Sequence, residues 1–267
     1  MEINRNNINK IMMEYYVKPD KDYGQNFLVE PSVCEKITDL LEIQKEDKVL
    51  EIGPGIGSLT HFLSLKSDQL SIVDIDMRMI DFLKEKYRKS NIEFINNDIR
   101  KTDISNYEKI IGNLPYNITT EAITYILLNA RLAKRVVIMC QSEAFNHFND
   151  IQGKEYGPAS VLLHLVGTCN KKFTVKPGSF YPAPKCTSTV FTIDFNKNIE
   201  WETMKKVYLF AKQLFLNRRK TIYNNLSQYL KDKEKASKAL ESLGITPNTR
   251  PEEISPERYL DLYKEIA

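Results

Sequence analysis

The sequence predicts an α/β domain built around a mainly parallel sheet with one late antiparallel strand pair, followed by a small all-helical domain. Three observations carry this. From about Pro31 to Phe195 short β-branched runs alternate with helical stretches, the pattern of a parallel sheet with crossover helices. Two late runs, KKFTV (171–175) and STVFTIDF (188–195), are separated only by the Pro-rich segment PGSFYPAPK, which is too short for a crossover helix and so predicts antiparallel pairing. After Phe195 the texture changes to helical periodicity.

Taken in order, residues 1–22 are polar around one short apolar stretch, IMMEYYV, and read as a mobile or partly helical arm. Residues 23–195 then supply the strands KVLEIG (48–53), QLSIVDID (69–76), IEFINND (92–98), KIIGNL (109–114) and RVVIMCQ (135–141), and after them the two late runs. Residues 196–267 supply helices in WETMKKVYLFAKQLFL, RRKTIYNNLSQYL and KEKASKALESLG, the last stopped by Gly244. Ser255 is placed as the N-cap of a closing helix, with Pro256 at its first position.

At 267 residues and 42% hydrophobic composition the chain can bury a full core, and a formal charge of +3 leaves any phosphate-binding surface to local clustering. Residues 196–267 are the more basic part. The cysteines Cys34, Cys140, Cys169 and Cys186 form no CxxC pair and the histidines His61, His147 and His164 stand apart, so neither a metal site nor a disulfide framework is expected. The polar start and the lack of a long apolar run point away from a secretory signal or a membrane and toward the reducing cytoplasm.

The strongest local motif is EIGPGIG (51–57), which closes one strand and opens a helix, where glycines let the backbone turn sharply and approach a ligand. A dehydrogenase fingerprint has a similar look, and a tight turn can be purely structural. Asp74 ends the second strand, where a carboxylate can accept both hydroxyls of a ribose, and Asp98 ends the third, where it can accept an adenine amino group; either alone can be a helix N-cap. The glycines run GxGxG with Glu51 just before them, a spacing and charge that suit a ligand bearing an ammonium and a sulfonium and would repel a pyrophosphate. S-adenosylmethionine is therefore favoured over a nicotinamide cofactor.

Asn113, Leu114, Pro115 and Tyr116 follow the fourth strand at the same edge. The exocyclic amine of adenine is a poor nucleophile because its lone pair is delocalised into the ring. The Asn113 side-chain oxygen and the Leu114 carbonyl can hold its two hydrogens and turn the lone pair toward a methyl donor, with Pro115 fixing the backbone and Tyr116 stacking on the base. A sulfonium is already activated, so alignment supplies much of the catalysis and no metal or strong base is required. As a bare tetrapeptide, NLPY can also be a strand-ending turn.

GQNFL (24–28), EIGPGIG, Asp74, Asp98, NLPY, FYPAPK (180–185) and NRRKT (217–221) occur in an order that resembles the ribosomal RNA adenine dimethyltransferases, in their small-subunit housekeeping branch, over about residues 22–266. The resemblance implies a class I S-adenosylmethionine methyltransferase fold, a Rossmann-like sheet of seven strands with one antiparallel. It implies that Gln25, Asn26, Leu28, Glu51, Gly53, Gly55, Asp74, Ile75, Asp98, Ile99 and Asn113 hold the cofactor. It also implies that Phe180 stacks on the target adenine opposite Tyr116 and that Lys185, Arg218, Arg219 and Lys220 contact RNA. The implied activity is N6-dimethylation of two adjacent adenines near the 3′ end of small-subunit ribosomal RNA, by a monomer acting on an immature subunit. The sequence departs from the family at KPDKDY (18–23), at Ser142 in place of a Lys and at Thr187 in place of an Asp, all on the RNA side.

Two other readings compete. The erythromycin-resistance branch, which acts on large-subunit RNA, shares QNF, the glycine loop and a related Asn-x-Pro-Tyr, but Leu243–Ser255 resembles the housekeeping tail. A non-catalytic RNA-binding or assembly role is disfavoured by the intact NLPY and acidic positions.

Overall fold

The computed structural model describes residues 2–20, 23–115, 117–196 and 199–267. They divide into two compact units, Met1–Ala144 with Cys169–Phe195, and Phe145–Thr168 with Asn196–Ala267. In chain order come α1 (Ile8–Glu14), β1 (Phe27–Leu28), α2 (Pro31–Asp39), β2 (Val49–Ile52), α3 (Ser58–Lys66), β3 (Leu70–Asp74), α4 (Met77–Lys86), β4 (Glu93–Asn96), β5 (Lys109–Asn113), α5 (Thr119–Asn129) and β6 (Arg135–Gln141). Then follow α6 (Ser142–Asn149), α7 (Pro158–Val166), β7 (Thr168–Val175), β8 (Phe180–Tyr181), β9 (Ser188–Asp194), α8 (Trp201–Leu214), α9 (Ile222–Leu230), α10 (Lys233–Ser242) and α11 (Pro256–Ile266).

Seven strands form one sheet in the order β4-β3-β2-β5-β6-β9-β7. The chain runs outward from β2 through β3 to β4, then returns to β5 on the other side of β2, with all of these pairs parallel. The order therefore reverses beside β2, and the crevice beyond the carboxyl ends of β2 and β5 is the switch point at which open α/β sheets take ligands. Every residue of β2 is buried, as a central parallel strand covered on both faces requires. The two late strands are sheet neighbours as expected, and β9 enters antiparallel beside β6. Its register is pinned where Arg135 faces Asp194 across the pair, with Nε 2.6 Å from the carboxylate. A second, two-stranded sheet pairs β1 with β8, Phe27 opposite Tyr181 and Leu28 opposite Phe180, which the sequence did not signal.

Two expectations change. The mobile or partly helical arm expected over residues 1–22 is helical at α1 and, over the described residues 2–20, docked: Ile3, Ile8, Ile11 and Val17 are buried in the same core as Val49, Leu70 and Ile72. Ile8 and Ile11 stand three apart and share one face of α1, so a single helical turn supplies enough apolar surface to dock it. The helical unit also begins earlier than residue 196. Tyr156, Val161 and Leu165 share a core with Val207, Phe210, Leu214 and Leu262, so α7, read as part of the α/β alternation, packs with α8 and α11.

Within that helical unit, Gly244 (φ +61) ends α10 as predicted. Its N–H donates to the Glu241 carbonyl at 3.0 Å and the Ile245 N–H to that of Leu240 at 2.8 Å, the paired bonds of a Schellman motif. Ser255 occupies the N-cap position of α11 before Pro256, but its side chain makes no capping hydrogen bond. No described helix is long and apolar enough to cross a membrane.

Replacing Ile11 by Ala, which leaves a cavity against that core, lowers unfolding stability by about 2 to 5 kcal/mol in urea titration; an unchanged midpoint would return residues 1–22 to the status of an arm.

Candidate active site

The turn after β2 is built from glycines at positive φ, Gly53 (+64), Gly55 (+53) and Gly57 (+85). Two of them are also held by contact. A Cβ on Gly55 would stand 2.9 Å from the Phe27 ring, and one on Gly57 would stand 2.7 Å from Leu83 Cδ2 on α4. The turn is thus pressed against β1 on one side and against α4 on the other, and only glycine fits. Ser58, opening α3, donates its hydroxyl to the Leu28 carbonyl at 2.6 Å and ties the same segment down.

Three carboxyl groups gather at this edge. Glu51 is buried within β2, and Thr60 on α3 donates to its Oε2 at 2.6 Å. Burial pushes its pKa up to about 8, against the Thr60 hydrogen bond; the charge of Asp74 raises it further and that of Lys86 lowers it. Asp74 ends β3 and accepts the Asp76 N–H at 2.9 Å, and burial pushes it up to about 6. Asp98 follows β4 and caps a 3-10 turn, Ile99–Lys101, by accepting the Arg100 N–H. The Arg100 guanidinium, 2.6 Å away, holds the Asp98 carboxyl below the usual carboxylate range. So Asp98 does act as a cap, and Arg100, which sequence reasoning missed, keeps it ionised beside two carboxyls that are driven toward neutrality.

The acceptor corner lies across the turn. Asn113 ends β5, and the Leu114 N–H extends the ladder by donating to the Met139 carbonyl at 3.0 Å. The Asn113 Nδ2 donates to the Asn26 carbonyl at 3.3 Å. A carbonyl can be met only by the amide's NH2 end, so this bond orients the side chain and leaves its oxygen as the end available to a donor. The Pro115 carbonyl accepts from the Ile118 N–H and from the Thr119 hydroxyl, and so holds the start of α5. Tyr116 lies outside the described residues.

A cavity of about 310 Å³ joins these parts. It is lined by every residue expected to hold the cofactor, namely Gln25, Asn26, Leu28, Glu51, Gly53, Gly55, Asp74, Ile75, Asp98, Ile99 and Asn113, together with Leu114, Pro115 and Phe180. Phe27, within GQNFL, lines it too, as do Tyr23, Ser58 and Ile118, which lie outside the cofactor motifs. Gln25 departs from a simple ligand role, because its Nε2 donates to Asp76 at 2.9 Å and its Oε1 accepts the Asp20 N–H at 2.9 Å. Ile75 is half exposed at the rim while Ile99 is buried, an apolar pair fit for a flat ring. Three carboxyls within a lining that also carries Leu28, Ile75, Ile99 and Phe180 suit a cationic nucleoside, so the residues present fit S-adenosylmethionine.

None of the residues expected to contact RNA is among those lining this cavity. Lys185 is exposed and has no partner among the described residues. Arg218, Arg219 and Lys220 do not open a helix but occupy the turn between α8 and α9. Arg218 is spent within the helical unit, donating to the Gly153 carbonyl at 3.0 Å with Nε 3.8 Å from Glu252, while Arg219 and Lys220 are exposed.

Residues 17–267 match the family Ribosomal RNA adenine dimethylase. The chain belongs to this family. A ribosomal RNA small subunit methyltransferase A of Malacoplasma penetrans is 36% identical over 244 residues, covering 90% of this chain and 89% of that protein. One of Clostridium botulinum is 36% identical over 265 residues, covering 95% and 96%. The crystal structure of a dimethyladenosine transferase from Plasmodium falciparum matches with a TM-score of 0.75 at 25% identity, over 90% of this chain and 96% of that one. That of the 23S rRNA methyltransferase ErmE matches at 0.69 and 24% identity, over 90% and 99%, a likeness of fold. Within the dimethylase family this chain falls with the small-subunit branch.

Glu51 generates a pH prediction. Its pKa lies near 8 when folded against 4.5 in its ordinary state, so the folded protein holds a proton that the unfolded chain releases. That contribution to stability is complete below pH 4.5 and is lost as pH rises toward 8. Melting of the ligand-free protein across this window falls with pH, and Glu51→Gln flattens the fall; parallel curves for the two proteins would mean that Glu51 is ionised when folded.

Proposed function

We propose that this chain dimethylates two adjacent adenines near the 3′ end of small-subunit ribosomal RNA, with S-adenosylmethionine as donor, as a monomer acting in the cytoplasm on an immature ribosomal subunit. The observation that carries the reading is one cavity lined both by a carboxyl wall, Glu51, Asp74 and Asp98, and by Asn113 with its amide oxygen free to accept. The names of the small-subunit relatives support the substrate.

When bound, the cofactor supplies a methyl group already activated on a sulfonium. The protein's own residues do the rest. Glu51 offers a buried carboxyl to the ligand's ammonium, whose charge favours the ionised form and expels the proton held in the empty state. Asp74 accepts ribose hydroxyls and Asp98 an adenine amine, each from a strand end that cannot shift without disturbing the sheet. On the acceptor side, Asn113 and the Leu114 carbonyl take the hydrogens of the target amine and leave its lone pair facing the methyl. Phe180, buried at the cavity wall, limits where the base can lie. Alignment of this kind, rather than a general base, lowers the barrier. Arg219 and Lys220 offer their charges to RNA phosphates, so their loss weakens binding in a salt-dependent way.

Replacing Asp74 by Ala weakens S-adenosylmethionine binding by about 1.5 to 3 kcal/mol in calorimetry, the scale of hydrogen bonds to a charged group. In the wild-type protein affinity also declines below pH about 6, where Asp74 takes up a proton and no longer accepts fully. The decisive experiment incubates the protein with a labelled methyl donor and under-methylated small subunits and maps the label. Dimethyladenosine at two neighbouring positions near the 3′ end is the expected outcome. Label on large-subunit RNA would indicate the resistance-type reaction, and binding to subunits without any transfer would indicate an assembly factor.

A further inference from the structure

The segment Tyr23–Leu28 lines the cavity, and its two ends are held there in different ways. Its far end is anchored by the β1–β8 pairing and by the Asn26 carbonyl that accepts from Asn113. Its near end is held by a side-chain network on α4 and the turn before it. Asp76, whose side chain is almost fully buried, accepts from Gln25 Nε2 at 2.9 Å and from Arg78 Nη2 at 2.7 Å on one oxygen, and from Arg78 Nε at 2.9 Å on the other. Arg78 Nη2 also reaches Asp20 at 3.1 Å, and its guanidinium stands 6.0 Å from the centre of the Tyr23 ring. Gln25 closes the loop, its N–H donating to the Asp20 carbonyl at 3.1 Å and its Oε1 accepting the Asp20 N–H. The network sits directly behind the ribose position, since the Asp76 N–H donates to Asp74.

We infer that Arg78 is a positioning residue for cofactor binding: with Asp20, Gln25 and Asp76 it clasps the Tyr23–Leu28 segment over the cavity and sets how long the cofactor stays. The inference rests on the reading of this cavity as the S-adenosylmethionine site. Both ends of the Gln25 amide are spent inside the clasp, so Gln25 acts on the cofactor through the segment it holds. The exposure of Arg78 matters too. A partly solvated, multiply bonded guanidinium can break and remake its bonds without unfolding the sheet, whereas a buried one cannot. Because the same segment carries the Asn26 carbonyl, opening it also releases the Asn113 amide, and a site with the clasp open is unprepared on the acceptor side as well.

The test uses the full chain with Arg78→Met, and Arg78→Lys as the conservative variant. Hydrogen exchange at the Gln25 amide in the ligand-free protein becomes faster in Arg78→Met, while amides of β2 and β5 keep wild-type rates. S-adenosylmethionine dissociation, followed by stopped-flow fluorescence, becomes roughly ten-fold faster, the scale of one lost charge-assisted contact. Turnover at saturating cofactor falls as well, because an open clasp releases the Asn113 amide from the Asn26 carbonyl. Arg78→Lys lies between, since an ammonium cannot reach both carboxylates in the same geometry. If Arg78→Met folds poorly, Asp20→Asn removes the outer arm alone and gives the same direction of change. Unchanged exchange at Gln25 with unchanged dissociation overturns the clasp. A wild-type protein that fails to bind S-adenosylmethionine overturns the proposed function instead, and the exchange measurement still decides the clasp.

Discussion

Setting several carboxyl groups side by side at the end of a buried sheet is costly, and the architecture around the site follows from that cost. Burial and mutual repulsion push Glu51 and Asp74 toward neutrality, while Arg100 keeps Asp98 ionised from the solvent side. A ligand that carries a cation, hydroxyls and an amine offers these carboxyls charge and donors that a phosphate does not. The glycine turn gives such a ligand access, because no side chain stands between the backbone and the cavity.

The second consequence is a division of labour among the elements that carry polar groups. Strand ends hold the groups that must not move. Glu51, Asp74 and Asn113 all belong to strands that have parallel neighbours on both sides. The segment before β1 is joined to the strand ends by side-chain bonds, through Gln25 and through the Asn26 carbonyl that accepts from Asn113. Donor side and acceptor side are therefore mechanically linked through a few residues of irregular backbone.

The helical unit shows how a charge run is divided by its surroundings. Arg218, Arg219 and Lys220 are adjacent in sequence and equal in charge, but the Gly153 carbonyl and Glu252 claim the first of them. The turn leaves the other two exposed, and Arg218 braces the loop around Gly153 against the turn that carries them.

Local pattern by itself determined the seven strands of the main sheet, the helical tail and the candidate residues of the site. Period-two and period-3.6 hydrophobicity, glycine where φ must be positive, and carboxylates at predicted strand ends are read directly from neighbouring residues. Gly53, Asp74 and Asn113 all belong to that class, and so does the Gly244 helix stop. Tertiary structure alone decided the rest, because each remaining feature depends on residues far apart in the chain. Thr60 meets Glu51 only because α3 folds back across β2, and Arg78 finds Asp20 only once the segment before β1 lies over the sheet edge. The docking of α1 and the transfer of α7 to the helical unit have the same origin: an apolar face shows that a helix will be buried, and only the folded chain shows against what.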